Sequence, residues 1–330
     1  MSSSRRNSAD GGWISTGLPV VGLLGMSTAS SVISHSILSS NSVDPTAQTL
    51  AWCRYFFCFL FSAIQCSFAP TVRVPDDVKW KMTKIGIFDS TAYGLACYGF
   101  AECGVAYQMI IFSAFSPSCS ALLTRFWLRK RLSREKIAAV AVVIVGLLTS
   151  AIPQFQATEA ARSFSVSGVA CTFFSALLYS YMGVMYESLG ESRPPHREAI
   201  RRINMIGTMT VSGYMLFYTF PRREVLLIAP QARSNTPASS TLWAHIAFGV
   251  ACAIRVQFQS RVFLHHGGLG MSIVNALKGP IMTVISALFL CSDNAPNACI
   301  NLMSGIGSCI IGVGGWMWST AGRADQKKQD

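Results

Sequence analysis

The chain has 330 residues, 51% of them hydrophobic and only 13% charged, with a formal net charge of +12 at pH 7. A soluble domain carries about 25% charged residues, so this composition, with a mean hydropathy of +0.40, lacks the polar surface of a soluble protein and reads as a multispanning membrane protein. Nucleic acid is disfavoured as a partner, because the basic residues fall in short clusters between apolar stretches, as the positive-inside rule would place them.

The polar start, MSSSRRNSADGG, leads into an apolar run long enough to span, which predicts a retained first helix rather than a cleaved signal peptide. A crossing takes about 20 residues. Runs of that kind fall at 14–38, 46–68, 84–101, 104–127, 137–153, 164–186, 202–220, 241–262, 268–290 and 297–319. The expected fold is an all-α integral membrane protein of ten transmembrane helices arranged as two inverted five-helix repeats. The parts are a tail at 1–13, a first repeat at 14–153, a second at 154–320 and a tail at 321–330.

One side of this arrangement holds Arg5, Arg6, Arg73, Lys79, Lys81, Lys84, Arg129, Lys130, Arg131, Arg134, Lys136, Arg193, Arg197, Arg201, Arg202, Arg261, Arg323, Lys327 and Lys328. The other holds only Arg162, Arg222, Arg223 and Arg233. That asymmetry predicts both termini in the cytosol. The repeat rests on order and spacing: FSAFSPSCSALLTRFWL (112–128) loosely matches NALKGPIMTVISALFL (275–290) around Pro117 and Pro280. Gly146 follows the first proline by 29 residues and Gly312 the second by 32. Five spans per half would insert the second copy upside down, the arrangement of transporters whose site lies at the bilayer midplane.

Ionised groups inside a span cost about 2.5–3.5 kcal/mol or more on insertion scales, so each calls for a partner, a wet cavity or a function. Lys278 lies about 15 Å into the ninth span, just before Gly279 and Pro280, and is the leading candidate to pair with a substrate phosphate. Arg255, near the middle of the eighth span, is a second phosphate candidate. Arg54, Asp89 and Glu187 are candidates for an ion pair or for ion coupling. Tyr107, Gln108, Tyr179, Tyr214 and Tyr218, with Asn275 one helical turn before Lys278, are candidates to hold the rest of a substrate, the tyrosines by stacking on a base.

Enzyme signatures such as GxSxG, HExxH and Walker A are missing, and the five histidines form no constellation with acids. No enzyme activity, metal or cofactor is expected. The eleven cysteines form no CxxC pairs; most lie in apolar segments as small packing residues, and Cys291 and Cys299 flank a short loop where they could pair.

The stretch AECGVAYQMIIFSAFSPSCSALLTRFWLRKRLSREKIAAVAVVIVGLLTS (101–150) resembles the fourth span, basic turn and glycine-bearing fifth span of the nucleotide-sugar transporter branch of the drug/metabolite transporter superfamily. SALLYSYMGVMYESL (175–189) is similar to the family's sixth span ending in Glu-Lys, with Glu187 in place and Ser188 where the lysine would be. Lys278 and Pro280 match a Lys-x-Pro of the GDP-mannose transporters, with Leu277 where their asparagine stands, and FYTF (217–220) half matches their Phe-Tyr-Asn-Asn. These departures leave the sugar and the base open. The resemblance implies antiport of a cytosolic nucleotide sugar against a lumenal nucleoside monophosphate, with no bound cofactor.

The final KKQD resembles the dilysine retrieval signal of endoplasmic-reticulum membrane proteins, with Lys327 and Lys328 in the required places. It implies residence in that membrane, cycling with the Golgi, and coat machinery as a partner. Membrane lipid and a second copy of the chain are the other candidate partners. Two further readings stay open: a transporter of another organic anion such as a sugar phosphate, and a non-transporting membrane scaffold or lipid-modifying enzyme.

Overall fold

The computed structural model describes residues 17–68, 74–129, 133–159, 166–189, 196–289 and 302–327. The regular elements among them are all helical: α1 (Leu18–Ser39), α2 (Thr49–Ser67), α3 (Asp76–Phe126), α4 (Arg134–Glu159), α5 (Val166–Glu187), α6 (His196–Tyr214), α7 (Ala229–Arg233), α8 (Ala238–Phe289) and α9 (Leu302–Lys327). A 3-10 turn (Pro45–Ala47) precedes α2, and two wider π turns (Met215–Thr219 and Glu224–Ile228) follow α6. Cys291 and Cys299 lie outside the described residues.

Among the described residues four stretches, Leu18–Leu38, Pro45–Ser67, Val166–Glu187 and Ala238–Phe263, are long and apolar enough to cross a membrane. Their outward faces carry exposed Leu18, Val21 and Val32 on α1 and Leu60, Phe61 and Ile64 on α2. In water that surface would oppose folding, whereas hydrocarbon removes the cost, and a helix satisfies its backbone polar groups internally. The chain reads as a multi-pass membrane protein.

The two longest elements differ from the expected layout. Helical backbone runs without a break through α3 and through α8, 51 and 52 residues, where loops were expected near 102 and 265. Neither element is straight. Ser175 Oγ donates to the Ala92 carbonyl at 2.7 Å, and Ser180 Oγ donates to the Ser116 carbonyl at 3.0 Å. The two serines are about 7.5 Å apart along α5, while Ala92 and Ser116 would be roughly 36 Å apart along a straight helix. So α3 doubles back on itself. In α8, Arg255 and Lys278 would be about 34 Å apart on a straight axis, yet they reach the adjacent Ser30 and Ser31 of α1.

The corner of α8 is held from α5. Glu187 Oε2 accepts the Gly268 N–H at 3.1 Å, and a Cβ at Gly268 would lie 2.8 Å from the Gly183 carbonyl carbon, so this approach requires glycine. At the end of α4, the helix continues to Glu159, past the boundary expected at 153.

The helix ends sort into two groups. At one end, Cys66 of α2 meets Glu198 of α6, Glu198 pairs with Arg201 at 2.7 Å, and α3 opens with Asp76 and Asp77 where the helix dipole favours negative charge. Lys79, 2.6 Å from Asp76, holds that carboxyl below its ordinary range by hydrogen bond and charge. At the other end, the Asp44 N–H donates to the Leu226 carbonyl and Ser234 Oγ to that of Ser40, both at 3.0 Å. Lys79, Lys81, Lys84, Arg197, Arg201 and Arg202 lie at the first end, and Arg222, Arg223 and Arg233 at the second.

Where α4 crosses α9, Gly146 faces backbone: a Cβ there would lie 2.8 Å from the Ile311 nitrogen and 2.9 Å from the Gly307 oxygen, whereas one at Gly312 meets no described atom within 4 Å. Gly146→Ala is expected to destabilise the protein by about 1–3 kcal/mol through overpacking. Gly312→Ala is expected to leave stability unchanged or raise it by up to about 1 kcal/mol through helix propensity. Thermal unfolding in detergent tests the contrast, and equal behaviour of the two variants would refute this account of the crossing.

Candidate functional site

The doubling back of α8 brings its two buried cations to one place. Arg255 Nη1 donates to Ser30 Oγ at 3.4 Å, and Lys278 Nζ donates to Ser31 Oγ. Ser30 is 1% exposed, and Lys278 and Arg255 are half-buried. Among the described residues no carboxylate lies within ion-pair distance of either cation, and the Arg255 Nε is buried without a hydrogen-bond partner. Two like charges therefore converge on neutral hydroxyls. Asn275, half-buried, sits one turn before Lys278 on the same side of the helix. Two residues beyond Lys278, Pro280 lacks the N–H that would bond the Ala276 carbonyl, so the helix is loosened beside the ammonium.

Arg54 has the opposite surroundings. It is 3% exposed, and its Nη2 donates to both oxygens of Asp89 at 3.2 Å. Its Nη1 donates to the Tyr179 hydroxyl at 2.8 Å, and Tyr55 Oη donates to Asp89 Oδ2 at 2.8 Å. The guanidinium carbon lies 4.8 Å from the Tyr55 ring centre and 4.2 Å from that of Tyr93, within cation–π range. This network ties α2, α3 and α5 together.

The remaining candidates scatter. Tyr179 belongs to the Arg54 network. Tyr214 and Tyr218 stack on each other at 5.0 Å, the Tyr214 hydroxyl donates to the Thr46 carbonyl at 3.1 Å, and Arg222 lies 4.3 Å over Tyr218. They occupy the end of the bundle beyond Ser40, about 13 Å along α1 from Ser31, and the structure does not bring them to Lys278. Glu187 holds the α8 corner rather than either buried cation. Tyr107 and Gln108 have helical backbone in α3, and their side chains are outside the described set. The same holds for the side chain of Lys327, and Lys328 lies outside the described residues.

Sequence reasoning missed Ser30, Ser31, Tyr55 and Tyr93. The serines sit in MSTASSVISHS (26–36), where a small polar residue signals close packing as readily as a ligand. Two concavities of about 620 and 530 Å³ lie at the other end of α1 and α6, around Ser42 and Leu227 and around Phe220 and Arg222, and contain none of the buried cations.

Residues 15–152 match the EamA-like transporter family. That family lies within the drug/metabolite transporter superfamily, and its members are transporters rather than enzymes. Twenty-eight chains of solved structures match in fold. One, described only as "Crystal structure of protein", gives a TM-score of 0.62 at 16% identity, covering 92% of this chain and 98% of its own. At that identity the likeness is one of fold alone. No curated protein matches the chain.

Removing one member of a buried ion pair leaves the other charged and uncompensated. Asp89→Asn is expected to destabilise the protein by about 3–5 kcal/mol, and Arg54→Met combined with Asp89→Leu by less than the sum of the two single changes. A double-mutant cycle of unfolding in detergent measures this, and additive effects would show that the pair is not coupled.

Proposed function

We propose that the protein is a nucleotide-sugar transporter of the drug/metabolite type, exchanging a cytosolic nucleotide sugar for a lumenal nucleoside monophosphate by alternating access. The observation that carries this reading is the convergence of Arg255 and Lys278 on Ser30 and Ser31 without a described carboxylate. An anion with a phosphate group would supply the missing charge, and a guanidinium beside an ammonium suits its oxygens.

On this reading the chain has ten spans in two inverted halves, with α3 and α8 each contributing two arms. Support comes from reciprocal packing. α3 packs on α5 as α8 packs on α1, while α2 packs on α6 and α4 on α9. Gly86 faces Ile203 and Ile206 of α6, and Gly249 faces Phe57 of α2; these glycines are 163 positions apart, as are Pro117 and Pro280. Across α4 and α9, Gly146 meets Ile311 and Gly314 meets Val143, so the counterpart of Gly146 is Gly314 rather than Gly312. The cations break this symmetry: 163 positions before Arg255 and Lys278 stand Ala92 and Phe115. Lys327 and Lys328 would return the protein to the endoplasmic reticulum if the end richer in basic residues faces the cytosol.

One observation favours a second reading. Tyr214 and Tyr218 lie away from Lys278, which weakens the case for a stacked base. A sugar phosphate would need the cations and hydroxyls alone.

Counterflow by the purified protein in proteoliposomes, against a panel of nucleotide sugars, nucleoside monophosphates and sugar phosphates, separates the two readings. Lys278→Ala is expected to abolish exchange with an unchanged unfolding temperature, because its charge serves cargo rather than packing. Near-normal exchange by that variant would remove Lys278 from the site, and exchange of sugar phosphates alone would replace the nucleotide reading with the second one.

A further inference from the structure

The segment between α6 and α8 has one face pinned to the bundle and one left open. On the inner side, Tyr214 and Thr219 hydroxyls donate to the Thr46 and Ala47 carbonyls, each at 3.1 Å, and the Leu226 carbonyl accepts from Asp44 N–H. Thr219 and Leu226 are buried. On the outer side, Leu216, Phe217, Phe220, Val225 and Ile228 are between 57% and 81% exposed. They continue the exposed face of α6 that carries Met209, a face that hydrocarbon would cover in a membrane.

Set into this apolar surface are Arg222 and Arg223, bracketed by the two π turns, a backbone form frequent at functional sites. Their guanidiniums rest against the rings of Tyr218 and Phe220, at 4.3 and 5.6 Å. Among the described residues neither has a carboxylate within ion-pair distance, although Glu224 is next in sequence. Leu216, Phe220, Pro221 and Val225 line a concavity of about 530 Å³ together with both arginines and Glu224. This is also the end of the bundle where basic residues are scarce, so two adjacent arginines there run against the charge asymmetry of the chain.

Apolar groove and paired guanidiniums together match one molecule class, a phospholipid with a net negative headgroup. We propose that this patch binds an anionic phospholipid, its headgroup between Arg222 and Arg223 and its acyl chain along Leu216, Phe217 and Val225. The pinned inner face makes the site rigid, so the lipid meets a surface already formed.

The test uses the full chain in nanodiscs of phosphatidylcholine with and without phosphatidylserine, reading lipid retained on extraction by native mass spectrometry and the unfolding temperature. Phosphatidylserine is expected to remain bound and to raise the unfolding temperature. Both effects should fall by roughly tenfold or more in affinity in Arg222→Gln with Arg223→Gln, and persist in Arg233→Gln, which removes a nearby charge outside the patch. Unfolding in phosphatidylcholine alone reports whether the double variant folds. Equal retention by the double variant, an identical shift with inorganic phosphate in place of lipid, or a changed oligomeric state of the double variant in phosphatidylcholine would each overturn the proposal.

Discussion

Arg54 is as deeply buried as the apolar core around it, and Asp89 is what makes that burial tolerable. A guanidinium taken from water costs several kcal/mol even after relaxation, and attraction to a carboxylate offsets this only where the geometry is good and the other donors are satisfied. The geometry meets this at two of the three nitrogens, with Asp89 taking Nη2 and Tyr179 taking Nη1 while the rings of Tyr55 and Tyr93 lie over the plane, and Nε has no hydrogen-bond partner among the described residues. Because the partners come from α2, α3 and α5, the pair also sets where the first arm of α3 lies. That in turn fixes the wall against which α5 holds the corner of α8.

The contrast with Arg255 and Lys278 is a contrast in bookkeeping of charge. Arg54 is neutralised within the protein, whereas among the described residues Arg255 and Lys278 are held by hydroxyls that solvate without neutralising. Membrane proteins seldom keep ionised side chains away from water unless something uses them. The same reasoning sets Arg222 and Arg223 apart from these two, since they are exposed and water or headgroups can reach them.

Much of the molecule is legible in the sequence because lipid imposes simple rules. Length and apolarity of the runs indicate helices, and the described basic residues at the starts of α3 and α6 lie at one end of the bundle while Arg222, Arg223 and Arg233 lie at the other. Lys278 and Arg255 stand out in sequence because a charge in an apolar run is rare. Their serine partners do not stand out, since Ser30 and Ser31 are chemically indistinguishable from packing serines until α8 folds back onto α1. The corners of α3 and α8 were equally hidden: helical backbone persists into them, as it must where no water can satisfy a free N–H or carbonyl. Tyr214 and Tyr218 have the right ring chemistry for a base, but their place at the end of α6 depends on Thr46 and Arg222, which sequence order does not bring near.

The choice of serine at the foot of each cation has a further consequence. A carboxylate there would hold the ammonium more strongly and would also repel any incoming anion, so the site would have to break an ion pair each time it filled. A hydroxyl both accepts and donates. Ser30 Oγ accepts from Arg255 while donating to the Ser27 carbonyl at 2.9 Å, so rotation about one bond would redirect that proton toward an oxyanion of the proposed cargo. In the transport cycle proposed above, binding of an anion would then exchange hydrogen bonds without breaking an ion pair.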